Sequence, residues 1–496
     1  MGIKRYVAIA DNTITNQFNE ALQSRNTKGN TGLADSLEMF KIYGQVTSAS
    51  VEQTRILIKF PVNETDLRSE IRTIKQDRDA GILPESGSVS FFMKMYDVKH
   101  PDTVPNNFKL VAHPLTKNWT EGNGIDLDEY SDIGQSNWLS ASTGVGWATE
   151  GGDFSTASVF QQQFDTGFED FVVDISSYVE QTIAGTLNSG NNYGLIVLFS
   201  SSILSDSNSY YTKKFSARSS EYFFSRPIIE ARWDSSIKDD RRNFYYSSSL
   251  CPAADNLNTL YLYNNIGGRL KNIPSVGTGS IYVNLYQSSA SAPSGSALTL
   301  VQDGTHVLSG SPTVVTGGYV STGIYSCSVA VTGTADTLHD VWYSGSTQYH
   351  TGTLFPETLS LAETTKTNDY YVSLTNLKTT YSNTETARIR IYSRLKGWSP
   401  TIYTRAVSEP QLYIPTSGSY EIIRIIDNYK VVEHATGSVK FTELSFDGSG
   451  SYFDLDMSIL EPGYSYGIKL AFYDDYISDY KPIDEVFRFR VEKHET

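Results

Sequence analysis

The chain has two cysteines in 496 residues, Cys251 and Cys327. So few exclude a disulfide-dense secreted scaffold and any four-cysteine zinc site. Proline is sparse, at 16 residues, which argues against long disordered linkers. Basic charge is also short: 40 Lys and Arg face 55 Asp and Glu, for a formal net charge of -15. Nucleic-acid binding by counterion release needs clustered Lys and Arg, so no nucleic-acid partner is expected. The two densest basic groups are Lys4-Arg5 and Lys238 to Arg242; the second is interrupted by Asp239 and Asp240 and reads as a solvated joint. Long apolar runs are missing too. No stretch approaches the ~18–20 residues that span a bilayer, and residues 1–6 carry no signal-peptide core. No membrane partner is expected, and synthesis in a cytoplasm is the default.

What the chain has is tyrosine, 33 residues of it, with apolar and polar residues alternating at period two. That pattern predicts strands joined by polar turns. At ~100–200 residues per domain, the length suggests about three domains. The expected fold class is all-β: tandem β-sandwich (jelly-roll or Ig-like) domains with one short inserted helix in the first. The boundaries read 1–235, 236–356 and 357–496.

In the first domain, strand cores are expected at 55–60, 90–96, 171–175, 193–199 and 227–233. The run 193–199 is unbrokenly apolar and predicts a strand buried on both faces. Residues 64–80 read as a helix, with Thr65 as N-cap and Leu67, Ile71 and Ile74 at helical spacing before Gly81. A helical turn capped by Ser176 follows the strand at 171–175. The Gly- and Asp-rich stretch 113–153 carries Trp119, Trp138 and Trp147 and reads as an excursion tied down by aromatics.

The second domain has strands expected at 260–263, 281–286, 323–329 and 337–343. The third has them at 370–374, 386–392, 420–425 and 486–491, with hairpin turns at Asp427-Asn428 and Asp447-Gly448. The pairs 260–262 with 281–285 and 371–374 with 387–391 hint at a duplication. An Ig-type bridge encloses a core Trp between its cysteines, whereas Trp342 follows Cys327; two buried thiols are expected, with a Cys251–Cys327 bridge as the alternative.

Catalytic and cofactor motifs are not found. The seven histidines, at 100, 113, 306, 339, 350, 434 and 494, lack metal-binding spacing, and only His339 and His350 are placed to approach each other across strands. Two acidic clusters, Asp126, Asp128, Glu129 and Asp132, and Asp474, Asp475 and Asp479, offer oxygen ligands for Ca²⁺ without the EF-hand order. Neither is expected to be a metal site. Glu121 with Asp153 or Glu150 is the one carboxylate pair near a Trp-lined loop, and hydrolysis at it is not expected. Trp119, Trp138 and Trp147 are the candidate ligand-binding aromatics: rings that stack on sugars if exposed, loop anchors if buried.

Six features of the first half occur in the order of a known sandwich. They are Arg55, Leu57 and Phe60; Trp119-Thr120-Glu121; Asp174-Ile175 to Val179; Asn192-Tyr193-Gly194-Leu195; Phe215-Ser216-Ala217-Arg218-Ser219-Ser220; and Arg226-Pro227-Ile228-Ile229-Glu230-Ala231. Together they resemble the DNRLRE domain, a carbohydrate-binding-module-like β-sandwich. Residues 428–432 and 442–455, and Asp340-Val341-Trp342-Tyr343-Ser344-Gly345, resemble β-modules of large tailed-bacteriophage structural proteins. These resemblances imply a non-enzymatic virion protein assembled in the bacterial host cytoplasm, in a neck, tail, baseplate or capsid-surface position. Its partners would be other virion proteins or copies of itself in a ring. The alternative is an extracellular adhesin or carbohydrate-binding protein that takes a glycan.

Overall fold

The computed structural model describes residues 2–65, 71–127, 131–132, 134–287, 295–301, 312–359, 369–398, 412–474 and 476–494. Chain contacts divide it into two units, Gly2–Trp233 and Asp234–Thr496. The chain is all-β, built from tandem β-sandwiches.

Among the described residues the first unit has thirteen strands in chain order: β1 (Ile3–Val7), β2 (Ala10–Thr15), β3 (Ser36–Tyr43), β4 (Val51–Lys59), β5 (Ser90–Met95), β6 (Phe108–Pro114), β7 (Ser140–Ser142), β8 (Val145–Gly146), β9 (Phe160–Phe164), β10 (Phe171–Asp174), β11 (Leu195–Phe199), β12 (Tyr210–Ser216) and β13 (Ile228–Arg232). One sheet runs β1-β13-β5-β10; the other runs β12-β3-β4-β11-β6-β9, with β2 also on β4. The expected double burial holds for Leu195–Phe199, whereas Tyr193 and Gly194 lie before the strand and Tyr193 is half-buried. β11 lies between β4 and β6, and all five of its residues are buried. Leu195, Val197 and Phe199 face the core between the sheets, and Ile196 and Leu198 face a second core on the outer side.

The inserted helix is shorter than expected, spanning Ile74–Asp79. Its start is set by a capping box: Thr73 accepts from Gln76 N–H while the Gln76 side chain accepts from Thr73 N–H. Glu64 and Thr65 are not helical, because Asn63 and Glu64 are bonded to Gly190 and Asn192. Residues 66–70 of the expected span, Leu67 among them, lie outside the described residues. The second helix runs two turns, Ser176–Ile183, rather than one. Its first N–H is taken by Asp174, and the Ser176 hydroxyl accepts from Phe91 N–H instead of capping.

The second unit contains two sandwiches. In the first of them, strands Asn258–Tyr263 and Ile324–Val329 form one layer, and Ile281–Tyr286, Leu338–Ser344 and Thr347–Leu354 the other. Strand Val315–Ser321 belongs to both: Val315 to Gly317 pair with 281–283, and Gly318 onward pairs with 324–326. A Cβ on Gly317 would sit 2.6 Å from the Ser326 carbonyl oxygen, so the crossing point requires glycine.

In the other sandwich, Tyr370–Leu374, Thr386–Leu395, Gly450–Asp456 and Ser445–Asp447 form one sheet. Facing it is a sheet of Thr380–Ser382, Phe487–Glu492, Ser465–Asp474, Gly418–Arg424 and Lys430–Val432. This is the strand arrangement of an immunoglobulin domain, and it includes a tyrosine corner: Tyr466 donates its hydroxyl hydrogen to the Glu461 carbonyl at 2.8 Å. By pairing partners, 258–263 corresponds to 386–395 and 281–286 to 418–424. The matching hinted at by sequence, 260–262 with 371–374 and 281–285 with 387–391, therefore does not hold, because each of these strands takes the place of the strand one later in the other sandwich. Cys251 and Cys327 are both free thiols, but only Cys327 is buried, Cys251 being half-exposed; burial pushes Cys327 well above the usual thiol range.

Candidate functional site

The outer face of β4, β11 and β6 presents Leu57, Ile196, Leu198 and Val111. The excursion after β6 folds back over these residues and lays Trp119, Trp138 and Trp147 on them; each indole is buried, at 4–8% exposure. Trp119 donates its indole N–H to Tyr193 O, and Trp147 donates to Asn137 O, both at 2.8 Å. Arg55 reaches up from β4, lies 4.7 Å from the Trp138 ring centroid and donates to Gly151 O at 2.9 Å. Burial lowers its pKa to about 10. Gly151 has φ +86, and a Cβ there would stand 2.8 Å from the Trp138 ring. The candidate aromatics are therefore anchors of a second core, because half of an apolar sheet face would otherwise meet water. They form no exposed rim on which a sugar could stack.

The carboxylates near this loop are also taken. Glu121 forms a two-pronged pair with Arg218 and accepts from Asp11 N–H. Burial pushes Asp11 up to about 7 against the pull of Arg218 N–H. Asp153 accepts from Ala148 and Thr149 N–H and closes a turn, so the structure gives it no catalytic partner in Glu121. In the first acidic cluster, Asp132 accepts from Asn123 N–H and Asn30, and Asp128 and Glu129 lie outside the described residues. In the second, Asp474 accepts from Tyr476 N–H and Asp475 lies outside them. Among the described residues no three His, Cys, Asp or Glu side chains are grouped to hold a metal ion. His339 pairs with Thr353 and His350 with Trp342; an odd register step separates the two, which puts the imidazoles on opposite faces of the hairpin. His306 lies outside the described residues.

What sequence reasoning missed is a groove of about 590 Å³ beside β3. Its walls are Phe18, Phe40, Tyr211, Leu22 and Ile125, the last of these 73% exposed. The loop after β2 forms one side: Phe18 donates its N–H to Glu52 Oε2 at 2.7 Å, and Arg25 sits 4.4 Å over the Phe18 ring. Phe40 and Tyr211 make a tilted pair with centroids 5.7 Å apart. Among the described residues, Glu20, Glu38, Glu52 and Asp126 line the groove and no Lys or Arg does. Glu38 is paired with Lys214 at 2.6 Å.

The joint Lys238 to Arg242 is the other correction. It is a seam inside the second unit and not a solvated loop. Phe446 donates its N–H to Ile237 O, and Asp239 donates to Phe446 O, so the joint adds a parallel bridge beside strand Ser445–Asp447. Arg241 then grips Asp340 with two bonds of 2.7 and 2.8 Å, and Asp340 also accepts from the Trp342 indole at 2.6 Å. Asp239 is 3% exposed, and burial pushes its carboxyl up to about 6 against the opposing Arg241 charge.

Fold and sites together define an all-β protein of tandem sandwiches. No protein-family model matches the chain, and no curated protein does. Among solved structures it is similar to the Yersinia pseudotuberculosis adhesin InvE, at 12% identity over 47% of this chain and 54% of that one, with TM-score 0.14. It is also similar to DIP-gamma IG1+IG2, at 10% identity, 48% and 90% coverage and TM-score 0.12. A third is Salmonella alpha-2-macroglobulin reacted with methylamine, at 8% identity, 93% and 21% coverage and TM-score 0.15. The chain spans about half the length of the InvE chain it matches. TM-scores this low carry over neither an activity nor a partner.

Proposed function

We propose that this chain is a non-enzymatic structural component of a tailed-bacteriophage virion, a neck, tail, baseplate or capsid-surface protein that acts through protein–protein contacts. The observation that carries the reading is the burial of all three candidate indoles as core anchors, since a glycan-stacking receptor protein needs such rings on its surface. The seam of the second unit, where Ile237 and Asp239 bond Phe446 and Arg241 bonds Asp340, supports a body held by contacts distant in sequence, as a particle component needs. In this reading its partners are other virion proteins, with copies of the chain arranged as a ring, and it resides in the virion after assembly in the host cytoplasm.

Mass spectrometry of intact, gradient-purified phage particles from the source culture tests this. Presence of the chain at a fixed ratio to the major capsid protein, in a small multiple of a ring symmetry, is the expected result. Absence from the particles overturns it. The second reading, an extracellular adhesin or carbohydrate-binding protein, is favoured by the aromatic groove beside β3. A glycan array probed with the full chain would show saturable, sequence-selective spots if that reading is right.

A further inference from the structure

Two side chains in the groove beside β3 are buried and incompletely bonded. Glu52 is 2% exposed; its Oε2 accepts from Phe18 N–H, but its Oε1 has no hydrogen-bond partner. Thr31, 6% exposed, has no partner for its Oγ1, and both residues line the same groove. A carboxylate oxygen taken out of water without a donor is costly, and the cost is recovered when a donor, above all a charged one, arrives. The lining narrows what that donor is. The acidic lining attracts a cation, and the exposed Tyr211 ring, backed by the buried Phe40, offers a face to its alkyl body or its charge. Just outside the lining the same chemistry is seen once, where Arg25 covers the Phe18 ring.

We propose that the groove beside β3 binds a primary alkylammonium group, with Glu52 Oε1 as the acceptor at its floor, Thr31 Oγ1 as a second acceptor, and Tyr211 and Phe40 as its walls. Such a group comes either from a lysine side chain of a protein partner or from a free polyamine. The site stands apart from the virion reading and from the buried indoles.

The test is isothermal titration of the full chain with cadaverine and with acetyl-lysine methylamide, against the uncharged acetyl-norleucine methylamide. The expected result is saturable one-to-one binding of at least one amine, with Kd on the order of 1 mM, and none of norleucine. Glu52→Gln should weaken it at least about tenfold, the scale of one charge-assisted hydrogen bond. Salt at about 1 M, where screening acts within about 3 Å, should weaken it as well. Tighter cadaverine binding identifies a free polyamine as the source, and tighter acetyl-lysine binding identifies a protein lysine. Absence of saturable binding, equal binding of the norleucine probe, or full binding by Glu52→Gln overturns the proposal. If Glu52→Gln loses its β-sheet circular dichroism, Tyr211→Ala at the exposed rim replaces it: several-fold weaker amine binding is then expected, and unchanged binding overturns the proposal.

Discussion

Tyr420 and Phe453 stack across the last sandwich with ring centroids 4.1 Å apart and planes 14° from parallel, one ring from each sheet. The Tyr420 hydroxyl is buried without a partner, and burial holds its pKa far above the usual phenol range. Tyr420→Phe removes an unsatisfied polar atom and keeps the stack, so it should be neutral or stabilising by up to about 2 kcal/mol. Phe453→Ala should cost about 3–5 kcal/mol through the cavity it leaves. Thermal unfolding of both variants checks the pair, and a lower Tm for Tyr420→Phe would contradict the account.

Asp340 is fully buried and faces Arg241 with both oxygens. Asp340→Asn leaves the Arg241 guanidinium with little water, no charged hydrogen-bond partner and only the Asp239 charge nearby, so the second unit should lose about 3–5 kcal/mol. Replacing both residues together, Asp340→Leu with Arg241→Met, should cost less than the single change. Urea unfolding of the single and double variants measures the difference, and additive losses would show that the pair does not act as a unit.

Two carboxyls set opposite pH limits on the first unit. Burial raises Asp11 from 3.8 to about 7, so the fold binds that proton more tightly than the unfolded chain does. Its contribution is complete below about pH 4 and is lost as pH rises through 7, on the order of 4 kcal/mol. Burial alone would raise Glu230 as well, but Arg5, Lys94 and Arg232 reverse this and hold it at about 2, below its ordinary 4.5. Its contribution is present above about pH 4.5 and is lost as pH falls through 2. Exchange protection of the β11 amides, corrected for intrinsic rate, should therefore peak at about pH 4–4.5 and fall on either side. Asp11→Asn should flatten the alkaline side of that peak; an unaltered slope there would count against a buried, proton-holding Asp11.

The indoles supply a fourth prediction. Trp119→Ala or Trp138→Ala should cost the first unit about 3–5 kcal/mol, as core truncations do, and expose the β11 amides to exchange. Iodide should quench these tryptophans poorly in the native chain. Strong quenching without loss of protection on truncation would show that the rings lie at the surface.

Much of the fold was legible because it is local. The run at 194–199 announced a strand buried twice over, since nothing polar interrupts it, and period-two patterning placed most strands. The helix start was misread because Thr65 and Thr73 are both acceptable caps; the capping box Thr73-x-x-Gln76 was the signal that separates them. The site was less legible. Whether Trp138 points to water or to Leu57 depends on a loop returning to a sheet face, and no spacing encodes that. Glu52 sits in a polar stretch of β4 and is buried only because the loop carrying Phe18, far off in sequence, closes over it. The charged composition of Lys238 to Arg242 suggested water, whereas its partners Asp340 and Glu443 lie 99 and 205 residues onward.

That last separation has a consequence for synthesis. Ile237 emerges from the ribosome with its backbone destined for Ser445 and Phe446, and Ser445 follows 208 residues later. At ~5–20 residues per second, the seam waits roughly 10–40 s for its other half. During that interval the sandwich holding Trp342 has already been translated, with Ile237 O and Asp239 N–H still lacking their Phe446 partner. The nascent chain thus carries a timed vacancy that only the strand holding Ser445 and Phe446 fills.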